Sequence, residues 1–456
     1  MKPEVKKLKR PRTKISVFGL GYVGLCTAVC FAHKRFRVIG IDVNQQRIKT
    51  INEGKAPIYE PGLDELLRRS IDSEMLRCTD NHEYALRNSD VSFITVGTPS
   101  HRNRAFALKY VKLLAKNIGR SLRTKRRYHL VAVKSTVLPG TTENIIKPLI
   151  EKFSGRECGS TYDICYNPEF LRQGTAIEDV LNPDRIIIGE FTKRSGDFLE
   201  RLYSECYGPR LPCVVRTSPS TAELVKCANN AFLAMKISFA NTIANLCEAI
   251  PNADVRVVTK AIGLDRRIGP YFLNAGLGYG GSCLSKDVKG LTHFSEEVGP
   301  RSTLLSAVEK VNRLRPHRVV EMVRTLLGGI QGKRVAILGL AFKPNTDDVR
   351  DSPSIRLAKE LLDKKTEVIV YDPMAMKNAS KLLQNKVKYA SSAMECIDGA
   401  DCCVIATEWP EFGGLKSEDF LCRMRTPALI DARRIYDPDE FDGKLKFRAT
   451  GLGKGA

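Results

Sequence analysis

Short runs of apolar residues, bounded by turn residues, alternate with segments of helical periodicity in both halves of the chain. Such runs predict buried strands of a parallel sheet, and the segments between them predict crossover helices. The pattern therefore predicts an α/β fold with one parallel-sheet domain in each half. The predicted strands are ISVFG (15–19), RVIGID (37–42), VSFITVG (91–97) and LVAVKST (130–136) in the first half, and RVAILG (334–339), EVIVYD (367–372), DCCVIAT (401–407) and ALIDAR (428–433) in the second.

One strand of each half matches the other in detail. DVSFITVGTP and DCCVIATEWP both place an Asp before the strand and a Thr and a Pro after it. Two related Rossmann-like units are the economical explanation, and convergence between buried strands is the alternative.

The middle of the chain has a helical pattern instead. Apolar positions recur with helical spacing over residues 220–250, and Ser220 with Glu223 predicts a capping box at the start. At 1.5 Å per residue, a helix of roughly 30 residues is about 45 Å long. It is therefore able to join two domains and to offer a dimer surface. A further helix is predicted around residues 302–329.

Composition narrows the class of protein. The net charge of +22 suggests nucleic acid, but the densest basic segments, 2–14 and 120–128, match no nucleic-acid-binding motif and are not interleaved with aromatic residues. We interpret the charge as a solvated surface that favours anionic ligands. There is no secretory signal and no apolar run of membrane-spanning length, which predicts an intracellular protein. The fourteen scattered cysteines predict reduced thiols in the cytoplasm and no zinc site.

A glycine-rich segment, GLGYVG, follows the first predicted strand. Gly19, Gly21 and Gly24 have the GxGxxG spacing, and the next strand ends in Asp42. In this arrangement the glycines admit a pyrophosphate at a helix N-terminus and the acid binds the ribose 2′-hydroxyl. We therefore predict a nicotinamide dinucleotide here rather than a structural turn. Asp42 favours NAD over NADP, although Arg47 lies close in sequence.

The segment GYGGSCLSKDV, residues 278–288, combines three glycines with a cysteine, a lysine and an aspartate. Its glycines predict a tight loop against a bound ligand, in which Cys283 is a candidate nucleophile. An inert, buried cysteine beside an ordinary turn is the alternative.

Further charged groups are candidates for binding or catalysis. Glu169 follows an Asn-Pro turn at the end of a predicted strand, where α/β sheets present catalytic groups, or it is a solvated charge. Lys226 and Asn230 are four residues apart and therefore share one helix face. They are candidates for a functional role if that face points at Cys283, and exposed surface residues otherwise. Lys343 is placed to meet a phosphate, with a surface ion-pair cluster as the alternative.

In this order, the segments closely resemble the UDP-glucose/GDP-mannose dehydrogenase family. The resemblance runs over nearly the whole chain and rests on GLGYVGL, PIYEPGLDELL, VGTPS, VKSTVLPGTTE, NPEFLRQGTAIEDVLNPDRIIIG, ELVKCANNAFLAMKISFANTIA, GYGGSCLSKDV and LGLAFKPNTDDVRDSPS. It implies a basic flexible tail (1–13), an NAD-binding Rossmann-like domain (14–215), a central helical and dimerisation domain with the catalytic loop (216–325), and a UDP-sugar-binding Rossmann-like domain (326–456).

The resemblance implies oxidation of a nucleotide-sugar C6 alcohol to a carboxylate, with two NAD and one water. The aldehyde formed first is attacked by a cysteine thiolate, and the thiohemiacetal is oxidised to a thioester that water hydrolyses. The implied partner is a second copy of the chain, joined through the long helix, with the active site between the two α/β units. Nucleic acid, membrane and metal are not implied.

Individual roles follow from matching positions. The catalytic groups are Cys283 as nucleophile, Lys226 and Asn230 at the oxyanionic intermediates, Asp287 with Thr136 at a water, and Glu169 as general base in thioester hydrolysis. The NAD contacts are Gly19, Gly21, Tyr22, Val23, Gly24, Asp42, Arg47, Thr98, Thr136 and Arg350. The substrate contacts are Glu169, Phe170, Leu171, Lys226, Asn230, Phe272, Asn274, Gly280, Lys343 and Arg433, with Arg267 reaching the sugar site of a second copy.

Several positions bear on the choice of substrate. Leu284 and Ser285 stand where many members have Phe and Pro or Gln, and GSCL is common among GDP-mannose enzymes. Gln173 stands where many UDP-glucose enzymes have Glu. EDVLNPDRIIIG and RRIGPYFLNAGLGYGG are more like the UDP-glucose branch, so we favour UDP-glucose. GDP-mannose or a UDP-N-acetylhexosamine is the alternative substrate, and a non-catalytic dinucleotide- or polyanion-binding protein is the alternative from another class.

Overall fold

The computed structural model describes residues 13–99 and 106–453. The predicted basic tail, apart from Thr13, lies outside the described residues, as does Ser100 of the VGTPS motif. The chain divides into two compact units, which separate between Ala228 and Asn229 inside one long helix. Of the helices in the described ranges, none is long and apolar enough to cross a membrane. The division into a tail and three domains stays a prediction.

The first unit contains one mostly parallel sheet. Its described strands are β1 (Lys14–Phe18), β2 (Arg37–Ile41), β3 (Leu76–Thr79), β4 (Val91–Ile94), β5 (His129–Val133), β6 (Tyr162–Tyr166), β7 (Arg185–Glu190) and β8 (Cys213–Thr217). They lie in the order β3-β2-β1-β4-β5-β6-β7-β8, and β6 with β7 is the antiparallel pair. In such doubly wound sheets, ligands bind at the carboxyl ends of the strands where the order reverses, here between β1 and β4.

Helices bury both faces of this sheet. Leu130 and Ala132 of β5 belong to one apolar cluster, while Val131 and Val133 belong to another. Because side chains alternate along a strand, the two clusters lie on opposite faces, which explains the continuous apolar runs in the sequence. The helices are α1 (Tyr22–His33), α2 (Gln45–Asn52), α3 (Leu63–Asp72), α4 (His82–Arg87), α5 (Lys109–Leu122), α6 (Lys147–Ser154), α7 (Ala176–Leu181), α8 (Lys193–Tyr207) and α9 (Pro219–Ala249), which continues into the second unit.

The second unit combines helices with a parallel sheet. Its helices and strands, in chain order, are α10 (Val255–Gly263), α11 (Leu284–Glu297), α12 (Thr303–Leu327), β9 (Arg334–Leu338), α13 (Pro353–Asp363), β10 (Glu367–Tyr371), α14 (Met376–Leu383), β11 (Lys388–Tyr389), α15 (Ala393–Ile397), β12 (Cys402–Ile405), α16 (Pro410–Gly413), α17 (Ser417–Arg423), β13 (Ala428–Asp431) and β14 (Lys446–Ala449). The sheet order is β11-β10-β9-β12-β13-β14. The predicted strands of both halves and the Rossmann-like fold are therefore confirmed.

The repeat seen in the sequence has equivalent contacts in each unit. Asp90, before β4, accepts the backbone N–H of Lys14 at 2.9 Å. Asp401, before β12, accepts the backbone N–H of Arg334 at the same distance. In each case the acid ties the central strand of its sheet to the next strand across the point where the order reverses. The shared motif therefore performs one structural task twice.

The predicted capping box at Ser220 and Glu223 is wrong. The helix begins at Pro219, two residues before the start that an N-cap at Ser220 implies, and Ser218 Oγ accepts the backbone N–H of Thr221 at 3.2 Å. Proline is favoured at the first helical position because its missing N–H has no helical partner there. Glu223 instead accepts hydrogen bonds from the backbone of residues 140–142, so it fixes the loop after β5 to α9.

Candidate active site

The glycine loop of the first unit has the geometry of a dinucleotide site. Gly19 has a φ of +98°, which favours glycine, and a Cβ on Gly24 would lie 1.9 Å from the carbonyl oxygen of Gly19. The space around Gly21 is open: a Cβ there meets nothing within 4 Å. No side chain caps the start of α1 at Tyr22. Its free N–H groups and the open approach fit a bound pyrophosphate.

Asp42 lies at the end of β2, beside this loop. One carboxylate oxygen accepts the backbone N–H of Leu20 at 2.9 Å and the guanidinium of Arg47 at 3.0 Å. The other accepts the N–H of Asn44 at 2.9 Å. The acid is thereby held at the carboxyl edge of the sheet, where a ribose hydroxyl would meet it. Arg47 is tied to the same carboxylate rather than projecting away from it.

Two further residues predicted to contact NAD lie together at this edge. Thr98 Oγ1 donates to the backbone oxygen of Thr136 at 2.7 Å. The two residues follow neighbouring strands, β4 and β5, so their loops leave the sheet at the same end. The structure therefore brings Thr98 to the end of β4, which pairs with β1, and Thr136 to the end of β5, the next strand along.

Glu169 and Lys226 form a buried ion pair in the first unit. Lys226 Nζ, from α9, lies 3.3 Å from Glu169 Oε1, in the loop after β6. The other oxygen of Glu169 accepts the N–H of Leu171 at 2.6 Å, and Lys226 Nζ lies 5.2 Å from the ring centre of Phe170. The structure thus brings together four predicted site residues. In a site with little water, a cation stabilises a developing oxyanion far more strongly than it does in bulk solvent.

Lys134 is a neighbouring group that sequence reasoning missed. Its Nζ is buried and donates to Asn167 Oδ1 at 2.9 Å, directly before the Pro-Glu of the Glu169 loop. Burial lowers the pKa of Lys134 to about 8, with Glu169 raising it and Lys226 lowering it further. The available signal was a lysine directly after a buried strand, at the carboxyl edge of the sheet.

The cysteine loop, residues 270–283, is fixed by α12 in the second unit. Asn312 accepts the N–H of Tyr279 at 2.8 Å and donates to its carbonyl oxygen at 3.0 Å. Arg315 Nε donates to the carbonyl oxygen of Gly276 at 2.9 Å, and burial lowers the pKa of Arg315 to about 10. Asn312 and Arg315 were missed because nothing local distinguishes them from solvent-facing helix residues.

Cys283 immediately precedes α11, and its side chain is exposed. The alternative interpretation of Cys283 as an inert, buried cysteine predicted the opposite. The partial positive charge at the start of a helix stabilises a thiolate there. Asp287, one turn into α11, is buried and accepts hydrogen bonds from Asn230 Nδ2 and Lys286 Nζ, both at 2.6 Å. The second unit therefore holds the predicted nucleophile on the same short segment as a buried carboxylate with an amide partner.

The glycines of the cysteine loop are explained by close packing against the same unit. A Cβ on Gly280 would lie 2.8 Å from both the carbonyl oxygen of Asp351 and Cβ of Phe342, and 2.9 Å from Cδ of Pro353. Gly281, with a φ of +80°, faces the ring of Phe342 in the same way. The predicted tight loop is confirmed, and protein atoms of this unit already require glycine at both positions.

Arg350 approaches the cysteine loop from the segment after β9. Its carbonyl oxygen accepts the N–H of Gly281 at 2.8 Å, and its guanidinium forms a bidentate pair with Asp348. The hydrogen bond to Asp348 raises the pKa of Arg350, burial opposes the rise, and the charge of Cys283 adds to it. A predicted NAD contact therefore lies close to the predicted nucleophile.

The remaining predicted substrate contacts are distributed around the second unit. Arg433 Nη1 donates to a backbone oxygen of the cysteine loop at 3.3 Å. Phe272 has a φ of +64°, unusual for a residue with a large side chain and typical of a functionally constrained position. Lys343 is partly exposed, while Arg267 and Asn274 are exposed. Arg433 thus belongs to the environment of the loop, and Arg267 and Asn274 face solvent.

Comparison with known proteins matches this chain along its length. In the UDP-glucose/GDP-mannose dehydrogenase family, the NAD binding domain matches residues 13–207, the central domain residues 220–314 and the UDP binding domain residues 336–438. UDP-glucose 6-dehydrogenase AglM of Haloferax volcanii is 42% identical over 427 residues, 92% of this chain and 97% of that relative.

Solved structures agree with these matches. A UDP-glucose dehydrogenase from the hyperthermophilic archaeon Pyrobaculum islandicum is 39% identical with a TM-score of 0.89, covering 100% of this chain and 99% of that one. The UDP-D-ManNAc dehydrogenase of Pyrococcus horikoshii is 29% identical with a TM-score of 0.85, covering 96% and 99%. The fold and the matched domains define an NAD-dependent dehydrogenase with a second, UDP-binding domain. The chain belongs to the UDP-glucose/GDP-mannose dehydrogenase family, which confirms the resemblance seen in the sequence.

Proposed function

We propose that the protein oxidises UDP-glucose at C6 to UDP-glucuronate, with two NAD as oxidants. The observation that carries the proposal is Cys283, exposed at the start of α11 and one helical turn from the buried Asp287. A dehydrogenase that stopped at the aldehyde would need no nucleophile. A four-electron oxidation gains from one, because a covalent thiohemiacetal presents a second hydride for transfer.

The proposed reaction passes through a thiohemiacetal and a thioester at Cys283. The first oxidation removes a hydride and the hydroxyl proton from the C6 alcohol and gives the aldehyde, and NAD held at the glycine loop would supply the hydride acceptor for both oxidations. Between them, the Cys283 thiolate adds to the aldehyde carbon and forms a C–S bond, and the carbonyl oxygen becomes an oxyanion that is protonated to the thiohemiacetal. Loss of its hydride and its hydroxyl proton gives a thioester. Water then adds to the thioester carbon, the C–S bond breaks, and the carboxylate and the Cys283 thiolate are released.

The buried charges support this sequence of intermediates. Lys226 is suited to stabilise the oxyanions, since it is a cation removed from water. Glu169 is suited to take a proton from the attacking water, as a carboxylate paired with Lys226 at 3.3 Å. Asp287, with Asn230 fixed on it at 2.6 Å, is proposed to hold a water for proton transfer, a role that the resemblance also gives to Thr136.

The identity of the sugar nucleotide is tested directly with purified protein. NAD is mixed separately with UDP-glucose, GDP-mannose and UDP-N-acetylmannosamine, and NADH formation is followed by absorbance. We expect NADH from UDP-glucose with a kcat/KM well above that for the other two. NADH from another sugar nucleotide, with none from UDP-glucose, would overturn the substrate assignment while leaving the chemistry in place.

Asp42→Ala is expected to relax the preference for NAD over NADP. The substitution removes the carboxylate that a 2′-phosphate would meet, and it releases Arg47 from its 3.0 Å pair. The ratio of kcat/KM for NAD to kcat/KM for NADP should fall by about tenfold or more. NAD loses the contact of its ribose hydroxyl with the carboxylate, and the 2′-phosphate of NADP gains a contact with Arg47. An unchanged ratio would show that Asp42 does not read the ribose.

Gly280→Ala is expected to lower kcat by about 10²-fold, since displacement of a catalytic group by about 1 Å has an effect of that size. The new Cβ would overlap backbone and near-backbone atoms of Phe342, Asp351 and Pro353, so the cysteine loop must shift. Gly413→Ala is the matched control, because the space around Gly413 is open. Wild-type kcat in Gly280→Ala would contradict the need for this packing.

We propose further that the protein is a homodimer that associates through α9. Within the second unit, Phe232, Phe239 and Leu246 are exposed and seven residues apart, so they form one stripe on the helix. Exposed apolar stripes of this kind mark interaction surfaces. In a dimer with a two-fold axis, the stripe of one chain packs against the same stripe of the second chain. This supports the implied association through the long helix.

Phe239→Glu tests the dimer by light scattering after size exclusion. The wild type should have twice the mass of the chain, and Phe239→Glu the mass of one chain at micromolar concentration. Leu421→Glu, at an exposed apolar residue of α17, is the control and should leave the mass unchanged. A wild type with the mass of a single chain would overturn the proposal.

We place the activity in the cytoplasm. The reaction needs NAD and a nucleotide sugar, and the cysteines of the described ranges are all free thiols. Free thiols persist in a reducing compartment, and an exposed catalytic thiolate depends on one.

A further inference from the structure

Glu60 is a buried carboxylate that connects two segments of the first unit. It lies in the PIYEPGLDELL motif and is 4% exposed. Its oxygens accept the phenolic hydroxyl of Tyr22, the backbone N–H of Gly174 at 2.7 Å and the backbone N–H of Ala176 at 2.6 Å. Tyr22 Oη also accepts the N–H of Gly174 at 3.2 Å. The four groups form one closed network.

One end of this network is the dinucleotide loop. Tyr22 directly follows Gly21 and is the first residue of α1, whose terminus we assign to the pyrophosphate. A change in the position of this helix turn therefore moves the phenol that Glu60 holds.

The other end is the segment that carries Glu169. Ala176 is the first residue of α7, and the preceding Thr175 makes no side-chain capping bond. Glu60 satisfies N–H groups at that helix start in place of a local cap. It thereby fixes the far end of the loop 169–175, whose near end holds Glu169 against Lys226 at 3.3 Å.

We propose that Glu60 is a positioning residue that couples dinucleotide binding to sugar-nucleotide binding through Tyr22 and the loop 169–175. The inference rests on the proposed function, since it takes NAD at Tyr22 and the sugar at Glu169. A ligand that orders one segment fixes the shared carboxylate and so favours the ordered form of the other. A purely structural Glu60 would affect stability without changing the influence of one ligand on the other.

The test measures that influence without turnover. NADH is titrated into the full-length protein, with and without saturating UDP-glucose, and its binding is followed by fluorescence. NADH is used because it accepts no hydride, so UDP-glucose is not oxidised during the titration. The coupling factor is the NADH dissociation constant without UDP-glucose divided by the constant with UDP-glucose. In the wild type the coupling factor should exceed one. Tyr22→Phe should reduce the factor about tenfold, as expected for loss of a hydrogen bond to a charged group. If the wild-type factor is below about ten, Tyr22→Phe should bring it to one. Glu60→Gln should reduce it as well.

A matched control lies in the same unit. Tyr128 Oη donates to the buried Asp163 at 3.0 Å, so Tyr128→Phe removes the same kind of bond away from the glycine loop and should leave the factor unchanged. A wild-type factor of one, or the wild-type factor retained in Tyr22→Phe, would overturn the inference. Failure of the proposed function has a different signature, since wild-type protein would then form no NADH from UDP-glucose and NAD.

Discussion

Cys283→Ser is expected to lower steady-state formation of UDP-glucuronate by at least about 10³-fold, the scale seen when a covalent nucleophile is removed. A serine hydroxyl is not ionised near neutral pH. The partial positive charge at the start of α11 stabilises a thiolate, but it is too small to ionise a hydroxyl. Any ester that did form would also be a poorer acyl donor to water than the thioester. The reaction is therefore expected to stop before release of the acid.

The measurement is product analysis by mass spectrometry beside the NADH time course. Cys422→Ser is the matched control, because Cys422 is also an exposed free thiol of the second unit and has no proposed role. It should retain wild-type kcat. Near-normal production of UDP-glucuronate by Cys283→Ser would disprove the assignment of the nucleophile.

Lys226→Met is expected to lower kcat by about 10²- to 10³-fold, the usual effect of removing one oxyanion-stabilising group. It also leaves Glu169 buried without the cation that lies 3.3 Å away, which typically costs about 3–5 kcal/mol of stability. Loss of activity and loss of stability must therefore be separated.

A second variant separates them. Lys226→Met combined with Glu169→Gln removes both charges, so it should regain much of the lost thermal stability, while its kcat stays well below that of Glu169→Gln alone. Lys147→Met is the control, because it breaks a partly exposed ion pair with Glu151 on α6 and should change neither property much. A double variant with regained stability and the same kcat as Glu169→Gln would show that Lys226 acts only through folding.

The fold could be predicted from the sequence because its signals are local. Apolar runs such as 334–339 are recognisable without knowledge of their neighbours, and the GxGxxG spacing with Asp42 is confined to one βαβ segment. The repeat was visible for the same reason. Asp90 and Asp401 each precede a buried strand and accept a backbone N–H from the neighbouring central strand of their own sheet.

The supporting residues of the site could not be predicted this way, because their partners are distant in the chain. Lys134 is recognised by its contact with Asn167, Arg315 by its contact with Gly276, and Glu60 by its contacts on both sides. Each is a buried polar group whose role depends on a tertiary neighbour. A single sequence does not show that neighbour.

Two local patterns also had a different structural basis. Ser220 and Glu223 match a capping box, but the helix starts at Pro219, two residues before the start that this box implies, and Glu223 binds the backbone of another loop. The glycines of the cysteine loop predicted a tight loop, and the side chain packed against Gly280 and Gly281 is Phe342, far along the chain. In both cases the residue type was informative about backbone geometry, and its neighbour was set by the fold.

The central claim is a four-electron oxidation at Cys283, and its most direct test is the stoichiometry of the complete reaction. Limiting UDP-glucose is converted to completion with excess NAD, and NADH and the sugar product are both quantified. We predict two NADH for each UDP-glucose consumed, with UDP-glucuronate as the product. One NADH per UDP-glucose with an aldehyde as the product would contradict the account, as would the absence of NADH.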